Sequence, residues 1–210
     1  MPPPESPLQG PVTSRPGLTA LQHGLSGINS LIEADRAANR PYFNFDELLR
    51  LANRGLPPKL LDPFIPSGAI SILAGLEDCG KSMFLRQLAL AVAGGQQDCF
   101  GFALNTRHKA AIYLSTEDGE HESAHFFAKQ AIYLGLQSAN LRFVPGSRFF
   151  SLDEVIANLD ALLAEQPADL LVIDSLGDML RWGDGNSNSQ TRVVLAAFNA
   201  LCHRHNVAIV

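Results

Sequence analysis

Short apolar runs alternate along this chain with longer segments of helical periodicity. Ala69-Ile70-Ser71-Ile72-Leu73-Ala74, Ala110 to Ser115, Leu141 to Val144, Leu170 to Ile173 and Val207 to Val210 have the length and composition of strands. Met83 to Ala93 reads as a helix that Gly94-Gly95 terminates, and Glu120 to Leu134 as one stopped by Gly135. Ser151-Leu152-Asp153-Glu154 is a capping box that opens a helix running to about Gln166, with Pro167 beyond it. Gln190 to His205 is the last helix. Every residue from Leu170 to Ile173 is apolar, as expected of a strand with helices on both faces. Strands alternating with helices predict a mainly parallel sheet with right-handed crossovers. The final apolar run has no continuation, so the sequence reads as a fragment of a longer protein, with its α/β core truncated at the C-terminus. No internal repeat is visible.

The first residues follow another pattern. Pro2, Pro3, Pro4, Pro7, Pro11 and Pro16 punctuate a stretch with little to bury, which predicts a disordered tail. That tail is read either as an inert leader or as a proline-rich docking segment. Residues Ile28 to Asn39 have the pattern of a weak helix ending at Arg40-Pro41. Asn44 then caps a helix over Phe45 to Arg54, with Glu47 three positions on and Gly55 closing it. Asp62 to Gly68 is a turn. The domain division is therefore 1–43 for the tail and weak helix, and 44–210 for the α/β core.

Composition narrows the classes. The chain has 210 residues, 46% of them hydrophobic, enough for one core. A net charge of -5 argues against general adhesion to nucleic acid, while leaving room for contact through a local loop or a ring pore. Cys79, Cys99 and Cys202 are odd in number and form no CxxC pair, which suits a reducing cytoplasm. No apolar run approaches the length of a membrane span, and the N-terminus lacks a signal-peptide core.

The candidate chemistry begins at Gly75-Leu76-Glu77-Asp78-Cys79-Gly80-Lys81-Ser82, which fits G-x-x-x-x-G-K-[ST] between a strand and a helix. In such a P-loop the glycines bring backbone N–H groups against phosphate oxygens, and the helix N-terminus adds partial positive charge. Lys81 reaches the β- and γ-phosphates, and the Ser82 hydroxyl holds Mg2+. Asp174, at the end of the apolar strand 170–173, is placed to bind the same Mg2+ directly or through water, the alternative being an aspartate that caps the next turn. No acidic residue follows Asp174 directly, so the water-polarising carboxylate must come from elsewhere. Glu117, just past the strand Ala110 to Ser115, is the candidate base. Asp118 competes for that role, and a helix-capping acidic pair before Glu120 is the third reading.

These residues resemble a family. The Pro66-Ser67-Gly68 turn, the P-loop, the strand-end Glu117 and the hydrophobic-Asp-Ser end at Asp174-Ser175 are similar to RecA-like P-loop ATPases. Ile112-Tyr113-Leu114-Ser115-Thr116-Glu117-Asp118 and Leu170-Leu171-Val172-Ile173-Asp174-Ser175-Leu176 resemble the RepA-like branch, which includes plasmid replicative helicases and mobile-element ATPases. The resemblance covers about Phe64 to Val210. It implies an α/β RecA-like fold and ATP bound with Mg2+ by Gly75 to Ser82 and Asp174. It also implies Glu117 as catalytic base and a homo-oligomeric ring acting on DNA, with single-stranded DNA as the expected partner. The alternative is a nucleotide-driven switch or assembly protein without unwinding activity. Arg148 and Arg192 are visible arginines that the sequence assigns to no role. The loop Gly183 to Ser189 and Trp182 lie where related proteins approach DNA, but with only Arg181 and Arg192 nearby and Asp184 within it the loop reads rather as exposed, with a partly packed Trp.

Three features depart from that picture. Glu77 and Asp78 put negative charge inside the phosphate loop, and Cys79 makes it a target for thiol reagents. His121-Glu122-Ser123-Ala124-His125 fits the zinc-peptidase signature H-E-x-x-H. Chance matches to either motif run on the order of 1%, so context decides. Ala128 and Ala131 stand where the extended zinc form needs glycine and histidine, and Glu154 is the remote ligand candidate. Cys202-His203-Arg204-His205 reads as a basic helix end rather than a metal site.

Overall fold

The computed structural model describes residues 28–36, 42–181 and 188–210. Helices are α1 (28–36), α2 (Phe45–Asn53), α3 (Lys81–Ala93), α4 (Glu120–Tyr133), α5 (Leu152–Glu165), α6 (Leu176–Arg181) and α7 (Asn188–His205). Strands are β1 (Lys59–Leu61), β2 (Ile65–Pro66), β3 (Asp98–Cys99), β4 (Phe102–Ala103), β5 (Ala110–Ser115), β6 (Asn140–Pro145), β7 (Leu170–Asp174) and β8 (Ala208–Ile209). The main sheet has the order β6-β5-β7-β8, all parallel. This is an α/β sheet flanked by helices, as the apolar alternation predicts. None of the described helices is long and apolar enough to cross a membrane.

Alternation of side chains along β5 builds two cores. Ile112 and Leu114 face a cluster with Leu159 of α5 and Phe198 and Leu201 of α7. Ala111 and Tyr113 face the other side, with Leu88 and Val92 of α3 and Phe127 of α4. Both faces are covered, which is why β7 has no polar residue before its last position. At the start of β7, buried Asp169 accepts hydrogen bonds from the backbone N–H groups of Arg107, His108 and Lys109 at 3.0, 2.8 and 2.7 Å. Those three bonds compensate a carboxylate that burial alone would strongly disfavour.

The expected strand Ala69 to Ala74 is corrected. Only one parallel bridge forms there, Ile70 to Ile209, with Ser71 N–H donating to the Ile209 carbonyl at 2.8 Å. Beyond Ser71 no described strand lies alongside, and Ile72 is 70% exposed. β8 thus separates the loop-bearing segment from β7. Two antiparallel pairs, β1–β2 and β3–β4, and the short helix α6 had no pattern to announce them. Asn44 and Glu47 make the full capping box of α2, whose nine residues are all outside the core. At α5 the box is only half formed. Ser151 accepts from Glu154 N–H, but the Glu154 carboxylate takes the Phe150 N–H instead. The weak helix is seen over 28–36, and the proline-rich tail lies outside the described residues. The His-rich end of α7 is occupied by carboxylates: His203 meets Asp35 at 2.8 Å, and Arg204 and His205 meet Asp160.

Gly146, just past β6, sets how closely the ends of β5 and β6 approach. A Cβ there would lie 2.8 Å from the Ser115 carbonyl oxygen and 2.8 Å from Thr116 Cγ2. Gly146→Ala is therefore expected to destabilise the fold by about 1–3 kcal/mol through overpacking. Urea unfolding should show the midpoint fall without a change in slope.

Candidate functional site

Three chain segments meet at the C-terminal edge of the parallel sheet. The β5–β7 register sets Ser115 opposite Asp174. Past that pair, Thr116 N–H donates to the Asp174 carbonyl at 2.8 Å, and Thr116 Oγ1 both donates to the Ser175 carbonyl and accepts from its N–H at 3.0 Å. The Asp174–Ser175 peptide bond is cis. These bonds tie the loop that carries Glu117 to the end of the strand that carries Asp174. Glu117 itself is exposed.

The third segment is Gly75 to Ser82. Gly80 caps α3 with φ 88°, a left-handed conformation that glycine adopts without steric cost. Asp78 also takes a left-handed φ of 55°, tolerated by its short polar side chain. Lys81 folds back on its own loop, with Nζ donating to the Gly75 carbonyl at 3.0 Å and the Leu76 carbonyl at 2.6 Å, and 3.9 Å from Cys79 Sγ. Leu76, Glu77, Asp78 and Cys79 are exposed. Ser82 Oγ donates to Asp174 Oδ1 at 3.1 Å. A groove lined by Ile70, Ile72, Leu73, Leu85 and Phe198 runs beside Lys81 and Asp174 and gives them an apolar wall.

Two buried residues that strand and helix patterns could not single out complete the site. Tyr113, 1% exposed, donates its hydroxyl to Asp174 Oδ2 at 2.5 Å. Burial first, and then the bond to Asp174, push that hydroxyl far above the ordinary tyrosine range. Arg86, one turn beyond Ser82 on α3, pairs with Asp118 at 2.6 Å and lies 4.6 Å over the Phe126 ring. Its Nε is buried without a hydrogen-bond partner among the described residues. Asp118 is thereby engaged, and its N–H bonds to Ser115 Oγ. It does not cap α4, whose N-cap is Gly119 without a side-chain bond. Of the two neighbouring carboxylates, Glu117 is the one turned to solvent.

The donor set suits a polyphosphate with a divalent cation. A hydroxyl and a carboxylate 3.1 Å apart are hard oxygen ligands of the kind Mg2+ takes. An ammonium now resting on neutral carbonyls can exchange them for phosphate oxygens. His121 and His125 lie exposed on α4, and among the described residues no group of three His, Cys, Asp or Glu side chains could hold a metal ion. Arg148 donates twice to Glu120 at the surface, and Arg192 is exposed on α7. Trp182 and residues 183–187 lie outside the described residues. A family model described as an AAA domain matches residues 40–210. No curated protein matches the chain.

Two outcomes follow from the loop. Cys79 is exposed, whereas burial pushes the Cys99 thiol up to about 11 and the Cys202 thiol up to about 12. A chromogenic disulfide reagent should modify one cysteine quickly in the folded protein and all three after unfolding. Saturating MgATP should slow the fast reaction about tenfold or more. Glu77→Gln with Asp78→Asn should tighten MgATP binding about two- to fivefold at low salt, a gain that fades near 1 M salt in a fluorescence titration.

Proposed function

The chain belongs to the AAA-domain family, and on that premise we propose that it is a Mg2+-dependent ATPase of RepA-like type, a ring-forming motor acting on single-stranded DNA in replication or mobile-element maintenance. Family membership makes it, at the coarser level, a nucleotide-binding P-loop ATPase. The observation that carries the reading is the contact between Ser82 and Asp174, residues 92 positions apart brought within 3.1 Å at one sheet edge. Gly75, Leu76, Glu77, Asp78, Cys79, Gly80, Lys81 and Ser82 form the phosphate cradle. Lys81 trades the Gly75 and Leu76 carbonyls for phosphate oxygens. Ser82 and Asp174 hold Mg2+, which when bound neutralises phosphate charge. Glu117 takes the proton of the attacking water, a role supported over Asp118 by the Arg86–Asp118 pair.

The net charge of -5 favours the rival reading, a nucleotide-driven switch or assembly protein without unwinding. One experiment separates them: MgATP hydrolysis with and without single-stranded DNA, for wild type, Lys81→Ala and Glu117→Gln. The motor reading expects DNA-stimulated turnover, loss of nucleotide binding in Lys81→Ala, and a kcat lowered about 10²- to 10⁴-fold in Glu117→Gln with nucleotide still bound. Turnover indifferent to DNA supports the switch. Failure of the wild type to bind MgATP removes both.

A further inference from the structure

We propose that Tyr113 is a positioning residue for the metal-binding carboxylate, its hydroxyl holding Oδ2 of Asp174 so that Oδ1 alone is presented beside Ser82. The inference rests on the reading of Asp174 as a Mg2+ ligand and assigns to it a residue that touches neither nucleotide nor cation.

The packing around Tyr113 calls only for a ring. Its ring stands edge-on to Phe127 at 5.1 Å and stacks with Phe143 at 6.4 Å, in the cluster between the sheet and α3. Phenylalanine would make the same contacts. A buried hydroxyl adds a desolvation cost that packing does not return, unless it finds a partner. Here the partner is the carboxylate of Asp174, itself 7% exposed. The other carboxylate oxygen accepts from Ser82. A carboxylate held by different donors on its two oxygens cannot turn about its Cβ–Cγ bond without breaking both. With Oδ2 engaged from within the core, Oδ1 is the oxygen left facing the P-loop, and chelation through both oxygens is disfavoured. Hydrogen-bond partners that orient a metal ligand in this way commonly change metal affinity ten- to a hundredfold.

The test uses Tyr113→Phe and Asp174→Asn beside the wild-type chain. Mn2+ binding to the ADP complex is followed by electron paramagnetic resonance, ADP binding in EDTA by fluorescence of a labelled analogue, and folding by thermal melting. Tyr113→Phe is expected to bind ADP in EDTA as the wild type does, and to weaken Mn2+ binding about ten- to a hundredfold. Phe127→Leu, which loosens the ring packing and keeps the hydroxyl, should lower the melting temperature and leave Mn2+ affinity within about twofold. Mn2+ affinity unchanged in Tyr113→Phe but weakened in Asp174→Asn overturns the role of Tyr113 alone. Affinity unchanged in both overturns the reading of Asp174 as the metal ligand. If Tyr113→Phe does not melt cooperatively, wild-type chain grown with 3-fluorotyrosine decides, since Tyr42 and Tyr133 are exposed and Tyr113 is the one buried tyrosine. Its more acidic hydroxyl should change Mn2+ affinity more than about twofold, and an unchanged affinity refutes the proposal.

Discussion

With Ser115 held opposite Asp174 by the parallel ladder of β5 and β7, the positions of Glu117, Asp118 and Asp174 are no longer independent. A slip of one residue would turn Tyr113 to the opposite face and take its hydroxyl from Asp174. The ladder resists slipping because both faces are committed: Ile112 and Leu114 are buried on one side, Ala111 and Tyr113 on the other. Thr116 then locks the ladder's open end, its backbone on Asp174 and its hydroxyl on Ser175. Apolar burial thus fixes a register, and the register fixes where the carboxylates stand.

The charges at that edge are matched selectively. Asp118 has a guanidinium at 2.6 Å, in a setting where the Arg86 side chain is 9% exposed. Asp174 is satisfied by two hydroxyls, Tyr113 and Ser82, which orient a carboxylate without neutralising it. Glu117 is exposed and Lys81 rests on carbonyls. Asp174 is thus oriented by hydroxyls rather than paired with a cation, beside the segment proposed to hold phosphate. Polyphosphate alone would meet repulsion from Asp174, and a divalent cation alone would find few ligands. In the proposed site each would make the other's binding favourable, which is the electrostatic requirement of a metal–nucleotide site.

Much of this was legible from residue order. The loop glycines, the lysine and serine after them and the aspartate ending an all-apolar strand stood out because few arrangements place those types at those spacings, and the structure brings Ser82 and Asp174 together. Glu117 was legible only as one of two neighbouring acids; the structure pairs Asp118 with Arg86 and leaves Glu117 exposed. Tyr113 was hidden because, within an apolar strand, tyrosine reads as another core ring until its cross-strand neighbour is known. Arg86 was hidden inside an apolar helix for the same reason. The run 69–74 misled because strand composition is not strand pairing: Ile72 and Leu73 have the right residues and no described neighbour to bond.

Helix α3 draws these pieces into one frame. Its first turn supplies Lys81 and Ser82, its second supplies Arg86, and Gln130 of α4 donates to the Met83 carbonyl at 3.0 Å. Ser82 reaches the end of β7, while Arg86 reaches the loop after β5. The helix axis is thereby held at two heights against the two strands whose ends carry Asp174 and Glu117, with Leu88 to Ala93 buried in the same cluster as Ala111 and Tyr113 of β5. A helix fixed this way cannot shift its N-terminus without straining either the Ser82 or the Arg86 contact. The segment from Leu76 to Cys79 is exposed and is joined inward by the lysine bonds to Gly75 and Leu76. In the proposed site, phosphate would meet a helix end and an Asp174 carboxylate already held by their own contacts, and the lysine would change partners within the exposed loop beside them.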